Sequence, residues 1–225
     1  MNITRNSFTA RSRAFSLVEL LTVIAIISIL MGIVVPGMAN VQKRAKVAKT
    51  KNQFNQWVSA MELFNSEYGQ YPSVDGPYAS SNAPVNMVNG SKFAVALTGR
   101  QIDGTTIPPT AKIDVRAGNT KLINFYTISQ AELDTSNTPY KLKDAFFNTE
   151  IAVLVDKDNN GLINAADVGQ LPGVHAVMGG DFRPDPKDDI DLTLGIHATV
   201  LFYSAGAGNP GGSKIDASDA VMSWK

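Results

Sequence analysis

The sequence has 225 residues, with 20 basic and 20 acidic side chains, no cysteine and 44% hydrophobic residues. This length allows one modest globular domain beside one apolar helix. The balanced charge gives no indication of nucleic-acid binding, and the lack of cysteine excludes a disulfide-stapled scaffold. The sequence contains no nucleophile elbow, phosphate loop or zinc-type His-Glu-x-x-His motif, so we expect that the protein is not an enzyme.

One apolar run dominates the N-terminal part of the chain. Residues 15–35 comprise 21 residues, of which only Glu19 is charged. A helix of that length extends about 30 Å, the thickness of the hydrocarbon core of a bilayer. We therefore predict a membrane-spanning helix over residues 15–36, with a kink or a locally melted turn at Pro36. A leader of residues 1–14 precedes it, with three Arg and no acidic residue.

The order of residues around the start of this run is unusual for a secretory signal peptide. A small residue, Ala14, stands immediately before Phe15 and the apolar run, whereas a signal peptide places small residues after it. A carboxylate such as Glu19 costs at least ~2.5 kcal/mol inside a spanning helix, so we expect it to have a partner. The pattern resembles the prepilin-type cleavage and methylation signal of type IV pilins and type II secretion pseudopilins. A plain signal anchor with a tolerated Glu19 is the alternative.

The resemblance implies processing and assembly. A prepilin peptidase would cut between Ala14 and Phe15 and methylate the new amino terminus, which Glu19 of a neighbouring subunit would pair with. The family usually has Gly where this chain has Ala14. Further implied partners are other copies of the chain, minor pseudopilins and an inner-membrane assembly platform; no nucleic acid is expected.

The resemblance also implies a location. The chain would be a single-pass inner-membrane protein with its C-terminal domain in the periplasm, and would enter a periplasmic or surface filament on assembly. The charge count alone favours the opposite orientation, because five basic residues within 43–51 outnumber the three leader Arg. Removing the leader takes the net charge from zero to −3.

The helix is predicted to continue as a soluble half over residues 37–69. Its apolar side chains recur at steps of three and four residues, which predicts a buried stripe rather than a binding site: Phe54, Trp57, Val58, Met61, Phe64 and Tyr68. Gly69 is the expected C-cap, with Pro72 beyond it. The basic residues of 43–51 would contact anionic lipid headgroups or acidic residues of adjacent subunits, or form a solvated face.

Residues 70–225 are predicted to form a C-terminal α+β globular domain. A short helix is expected over residues 91–98, closed by Gly99. Runs of β-branched and aromatic residues predict strands at 122–128, 150–155 and 198–203. The economical architecture is one long N-terminal helix packed on a small antiparallel sheet, which is the pilin-like fold.

The most specific chemical pattern lies at residues 156–167. Oxygen side chains occupy places one, three, five, nine and twelve, Gly occupies place six, and place seven offers a backbone carbonyl. The loop resembles those of EF-hand and dockerin modules and predicts a Ca²⁺ site, with Asp as the last ligand where EF-hands prefer Glu. An Asn/Asp-Gly hairpin turn without metal is the alternative. The candidate ligands are Asp156, Asp158, Asn160, Leu162, Asn164 and Asp167.

Residues 203–225 resemble the C-terminal part of type II secretion major pseudopilins, which bind calcium in a loop there. The resemblance makes Ser204, Asp216 and Asp219 possible ligands of a second ion; a solvated loop is the alternative. Asp144 and Asn148 resemble a turn of the same family. His175 and His197 show no partner in the sequence, and we expect both to be ordinary packed or surface residues.

Together these observations predict the structural subunit of a type II secretion pseudopilus, which polymerises through its N-terminal helix to drive protein secretion across the outer membrane. One alternative is a type IV pilus subunit for adhesion, motility or DNA uptake. The other is a monomeric, membrane-anchored calcium-binding module, which would leave Phe15 unprocessed.

Overall fold

The computed structural model describes residues 16–76, 86–108, 118–136, 138–185 and 190–224, without the side chains of residues 33–37. The chain divides into two compact units, Met1–Lys43 and Arg44–Lys225. The leader and both residues at the predicted cleavage point, Ala14 and Phe15, lie outside the described residues.

The described part of the first unit is helical from Leu17 onward. Helix α1, Leu17–Tyr68, has 52 residues and begins in this unit. It is continuous through Pro36, so no locally melted turn is found there. No helix among the described residues is both long enough and apolar enough to cross a membrane. Within the predicted span over residues 15–36, Phe15 and the side chains of residues 33–36 lie outside the described part of the chain.

In the second unit α1 buries the predicted apolar stripe. Phe54, Trp57, Met61 and Phe64 are each 0% exposed, and Trp57 packs on Phe93 with 4.8 Å between ring centroids. The helix ends as predicted, with Gly69 at φ 72°. The stripe is therefore core, as its spacing predicted.

The second helix, α2, spans Gly90–Thr98, close to the predicted bounds. The side chain of Asn89 caps its first turn by accepting hydrogen bonds from the backbone N–H groups of Ser91 and Lys92. Gly99 closes the helix at φ 65°, and a Cβ there would lie 2.5 Å from the carbonyl oxygen of Leu122. Only glycine fits this position.

The second unit contains short strands and one further helix. A 3₁₀ turn, Gln130–Glu132, precedes them, and the elements follow in chain order: β1 Leu133–Asp134, β2 Lys141–Leu142, β3 Ile151–Val155, α3 Ala165–Val168, β4 Val174–His175, β5 Asp181–Phe182, β6 Val200–Ser204 and β7 Val221–Met222. Strands β3, β6 and β7 form an antiparallel sheet in that order, while β1–β2 and β4–β5 are separate antiparallel pairs. The α+β, pilin-like fold is confirmed.

One predicted strand is wrong. Residues 122–128 form no strand, because the backbone N–H groups of Phe125 and Tyr126 both donate to the carbonyl of Leu97 at the end of α2. The buried side chain of Asn119 holds the same segment through hydrogen bonds with Ile123. The apolar side chains that favoured a strand instead pack against the helices.

The three-stranded sheet is buried on both faces. Ile151, Val153 and Phe202 belong to the cluster that includes the stripe of α1. The alternate residues, among them Leu154 and Tyr203, belong to a second cluster formed with residues 163–222. An antiparallel sheet usually leaves one face in water; here the second layer covers that face, and the loops at the two ends of the sheet carry the candidate sites.

Candidate functional site

The acidic loop, residues 156–167, begins where β3 ends. The backbone N–H of Asp156 donates to the carbonyl of Thr199 over 2.9 Å, which extends the β3–β6 pairing by one bond. At the other side of the loop, Ile163 and Ile196 exchange two backbone hydrogen bonds of 2.9 Å, and Ile163 is fully buried. The loop is therefore fixed to the sheet at its start and to residues 190–196 near its end.

Three carboxylates converge inside the acidic loop. Ligand oxygens of Asp156, Asp158 and Asp167 lie within 4.8 Å of one another. Asp156 and Asp167 are 1% and 5% exposed, whereas Asp158 is exposed. Like charges at this separation repel, and burial strengthens the repulsion. The donor set consists of oxygens, which suits a hard cation such as Ca²⁺.

Backbone N–H groups orient these side chains. The two carboxylate oxygens of Asp156 accept from Asn160 (3.2 Å) and Gly161 (2.7 Å), and those of Asp167 accept from Lys157 and Asn164 (both 3.0 Å). Gly161, at φ 83°, makes the sharp turn that the pattern requires. The sequence-predicted role of this glycine agrees with its conformation.

The amide oxygens of the two predicted asparagine ligands accept backbone hydrogen bonds within the loop and at the start of α3. The amide oxygen of Asn160 accepts from the N–H of Leu162, and that of Asn164 caps α3 by accepting from Ala166. The short helix α3 begins directly after Asn164. Ligation by these residues and by the carbonyl of Leu162 stays a prediction.

The second ion site, at Ser204, Asp216 and Asp219, also stays a prediction. The hydroxyl of Ser204 is fully buried and donates to the Asp144 carboxylate over 2.7 Å. Asp216 and Asp219 lie in the turn before β7, where the N–H of Asp219 donates to the carbonyl of Asp216. The structure thus gives Ser204 a partner outside the predicted set.

The Asp144 carboxylate forms a buried network at the opposite end of the sheet. It accepts from the backbone N–H groups of Phe146 and Asn148 (both 2.8 Å), from the side chain of Asn148 (2.9 Å) and from Ser204. Asn148 also donates to the carbonyl of Gly206 over 2.8 Å. Burial raises the pKa of Asp144, and the hydrogen bonds from Ser204, Asn148 and Phe146 oppose that shift in part. The family-like turn recognised in the sequence therefore ties residues 144–148 to residues 204–206 at the end of β6.

His175 has partners that the sequence analysis missed. Its Nδ1 lies 2.7 Å from Glu150, and its Nε2 lies 3.2 Å from Asp181. The hydrogen bond to Glu150 raises the pKa of His175, with smaller electrostatic contributions from Glu150 and Asp181. The pairing of β4 with β5 places His175 opposite Asp181, and strands of two residues leave too little pattern to predict it.

Near the start of α1, Glu19 lies on the first turn. Its carboxylate accepts from the N–H of Ser16 over 3.1 Å, as a carboxylate at a helix N-terminus does. The large apolar residues from Leu17 to Met31 are exposed in the single chain, for example Leu17 at 78% and Ile29 at 67%. The carboxylate and the apolar surface are therefore both available to another molecule.

Comparison with known proteins agrees with this arrangement. The family described as "Prokaryotic N-terminal methylation motif" matches residues 9–35. "Prepilin peptidase-dependent protein D" of Escherichia coli (strain K12) is 30% identical over 116 residues, which cover 49% of this chain and 80% of that protein. The chain belongs to the type IV pilin-like family of pilins and pseudopilins. The predicted methylation signal and family are thus confirmed.

A second relative is a pilin. "Type IV major pilin protein PilA" of Myxococcus xanthus (strain DK1622) is 38% identical over 64 residues, which cover 28% of this pilin-like chain and 29% of the relative. Neither relative's name describes a catalytic activity. No solved structure matches the chain.

Proposed function

We propose that this pilin-like protein is a structural subunit of a type II secretion pseudopilus. The match to the N-terminal methylation motif over residues 9–35 supports the proposal. With the predicted cut between Ala14 and Phe15, Glu19 would be the fifth residue of the processed chain. In this mechanism, prepilin peptidase removes the leader and methylates Phe15. The apolar helix then holds the subunit in the inner membrane until an assembly platform adds it to a growing filament. Filament growth drives folded proteins through the outer membrane.

The exposed apolar surface of α1 supports polymerisation. In a single chain, a contiguous apolar surface of this extent needs to be covered by lipid or by other proteins. Lipid covers it before assembly and other copies of α1 cover it in the filament core. Glu19 sets the register because an intramembrane carboxylate is stable only with a partner, here the new amino terminus of the neighbouring subunit.

A type IV pilus subunit is the second candidate, favoured by the similarity to a type IV major pilin. Long surface filaments would distinguish this function from secretion. A monomeric membrane anchor is the third candidate, and an unprocessed Phe15 would identify it.

The test compares the culture-supernatant proteomes of the parent strain, a deletion strain, and deletion strains carrying Glu19→Ala or Glu62→Ala. Glu62 is an exposed glutamate on the soluble part of the same helix and serves as the matched control. We expect a set of folded exoproteins to leave the medium and accumulate in the periplasm in the deletion and Glu19→Ala strains only. An unchanged supernatant would overturn the secretion function, and sheared surface filaments would then indicate a pilus.

We further propose that the acidic loop binds Ca²⁺. Asp156, Asp158 and Asp167 would hold the ion, together with Asn160, Asn164 and the carbonyl of Leu162. The convergence of three carboxylates, two of them buried, supports this proposal. The bound cation would neutralise their mutual repulsion and so stabilise the link between the sheet and residues 190–196.

A further inference from the structure

Phe147 has an unusual conformation on the surface of the second unit. Its φ is 70°, in the left-handed region where an aromatic residue is strained, and its side chain is 58% exposed. An exposed side chain gains little from burial within its own chain, so burial of the ring does not offset this strain. Such strain persists where the surroundings determine the conformation, and it concentrates at functional positions.

The surroundings of Phe147 are rigid. Its own N–H donates to the carbonyl of Asp144. Ten buried polar residues occur in the described part of the chain, and five of them fix residues 143–148 or their contacts: Thr50, Gln53, Asp144, Asn148 and Ser204. Half of the buried polar groups thus support one turn that ends in an exposed phenylalanine.

Apolar and basic groups surround Phe147. The amide oxygen of Asn148 accepts from the N–H of Val177, which places the exposed Val177 (65%) and Met178 (60%) beside the turn. The Nζ atoms of Lys46 and Lys143 lie 5.7 Å and 5.5 Å from the centroid of the Phe147 ring. We define these residues as the aromatic tip: Lys46, Lys143, Phe146, Phe147, Val177 and Met178. A rigid apolar centre with a cationic rim has the composition of a protein-binding surface.

The opposite end of the sheet carries the complementary groups. Asp158 is exposed there, and Leu194 is 81% exposed. Asp191 accepts two hydrogen bonds from Thr193, which hold the pKa of Asp191 below its usual range. Asp191 lies outside the acidic loop, so calcium bound in that loop would leave the charge of Asp191 intact. We define Asp158, Asp191 and Leu194 as the acidic end.

The sheet separates the two surfaces. Asn148 precedes β3 and Ser204 ends β6, so the aromatic tip lies where β3 begins. Asp156 follows β3 and its N–H donates to the carbonyl of Thr199, so the acidic end lies where β3 ends. A strand of five residues is about 17 Å long. Complementary surfaces at opposite ends of one sheet can make a heterologous contact between copies, and repeated heterologous contacts form open filaments.

We propose that the aromatic tip of one copy docks on the acidic end of a second copy of this chain. Apolar contact between Phe147 and Leu194 and opposite charges on Lys46, Lys143 and Asp191 would make the contact directional. The inference rests on the proposed polymerisation and adds to it a contact between globular domains.

The experiment uses the lack of native cysteine. The full chain carrying both Phe147→Cys and Leu194→Cys is expressed in the deletion strain, treated with a bifunctional maleimide and separated under denaturing conditions. We expect a ladder of multimers from the double variant and none from either single variant. The control pair, Phe147→Cys with Asp103→Cys in an exposed turn, should give no ladder.

Each other outcome has a distinct meaning. Filaments in electron micrographs without a ladder overturn the docking contact alone, whereas absence of filaments in the complemented wild type overturns the proposed polymerisation. Dimers from Phe147→Cys alone indicate a symmetric contact and overturn the head-to-tail arrangement. A ladder of equal strength from the control pair, or protection of Phe147→Cys from maleimide by lipid vesicles without a ladder, also overturns the proposal.

Charge reversal provides a second measurement that is independent of the cysteine at Phe147. Lys46→Glu with Lys143→Glu should abolish filaments seen in electron micrographs, and adding Asp191→Lys should restore them. Failure of Asp191→Lys to restore filaments, while the charge-reversed chain is folded and processed, would overturn the charge pairing.

Discussion

The two ends of the three-stranded sheet use carboxylates in opposite ways. Where β3 begins, one buried carboxylate, Asp144, receives four hydrogen bonds from the chain itself. Where β3 ends, three carboxylates gather within 4.8 Å of one another. At the first end, hydrogen bonds from the folded chain itself stabilise the buried carboxylate. The second collects negative charge that a cation would balance, so the same side-chain type is a structural bond at one end and a candidate ligand at the other.

The largest expected effect is the loss of stability when the buried Asp144 carboxylate is removed. Asp144→Ala leaves the hydroxyl of Ser204, the side chain of Asn148 and two backbone N–H groups without their acceptor in a buried site. We expect a loss of about 3 kcal/mol or more in the free energy of unfolding. Denaturant unfolding of the full chain in detergent measures it, with the exposed Asp103→Ala as control. Equal effects of the two substitutions would contradict the role of the buried network.

Adding calcium tests whether the three carboxylates where β3 ends bind a cation. At a free Ca²⁺ concentration about 100-fold above Kd, binding to the folded state alone adds about 2.7 kcal/mol, which raises Tm by about 5–10 °C. Asp158→Asn removes an exposed ligand with little change in packing and should abolish most of the shift, while Asp103→Asn should retain it. Thermal unfolding with calcium and with chelator provides the comparison. An unchanged Tm in the wild type would favour the metal-free turn.

Two substitutions of Phe147 test whether the backbone of the turn before β3 is strained. Phe147→Gly should be more stable than Phe147→Ala by about 1 kcal/mol, because only glycine adopts φ near 70° without steric cost. Both variants lose the ring and its lysine contacts, so their difference isolates the backbone. Denaturant unfolding of the two variants gives this difference. A more stable alanine variant would show that the turn is unstrained.

The smallest effect concerns His175. Its folded-state pKa is raised by the hydrogen bond to Glu150, so protonation favours the folded state. This contribution is complete below pH 6.5, the ordinary value, and is lost as the pH rises through the raised pKa. His175→Gln should flatten the Tm-versus-pH curve in that window. The effect is small because the pair is exposed; equal curves for wild type and His175→Gln would contradict it.

Sequence reasoning succeeded where a repeating pattern determined the structure. The stripe from Phe54 to Phe64, the cap at Gly99 and the turn at Gly161 each follow from a local rule. It failed at residues 122–128, because propensity cannot show that the carbonyl of Leu97 receives both the Phe125 and Tyr126 amides.

The candidate sites show the same limit. The positions of the acidic loop were readable because all of its oxygens lie within residues 156–167. The contacts of Asp144 with Ser204 and of His175 with Glu150 and Asp181 join residues 60, 25 and 6 positions apart, and they form only in the folded chain. Local spacing carries no information about such contacts.

The burial of β3 on both faces has a consequence before folding. Ile-Ala-Val-Leu-Val is an uncharged run of high β-propensity, and a nascent chain exposes all of it until both covering layers close. Glu150 and Asp156 stand directly at its two ends and act as gatekeepers against aggregation of the unfolded chain. Substitution of either residue by an apolar one is therefore expected to lower soluble yield, in addition to removing hydrogen bonds of the native protein.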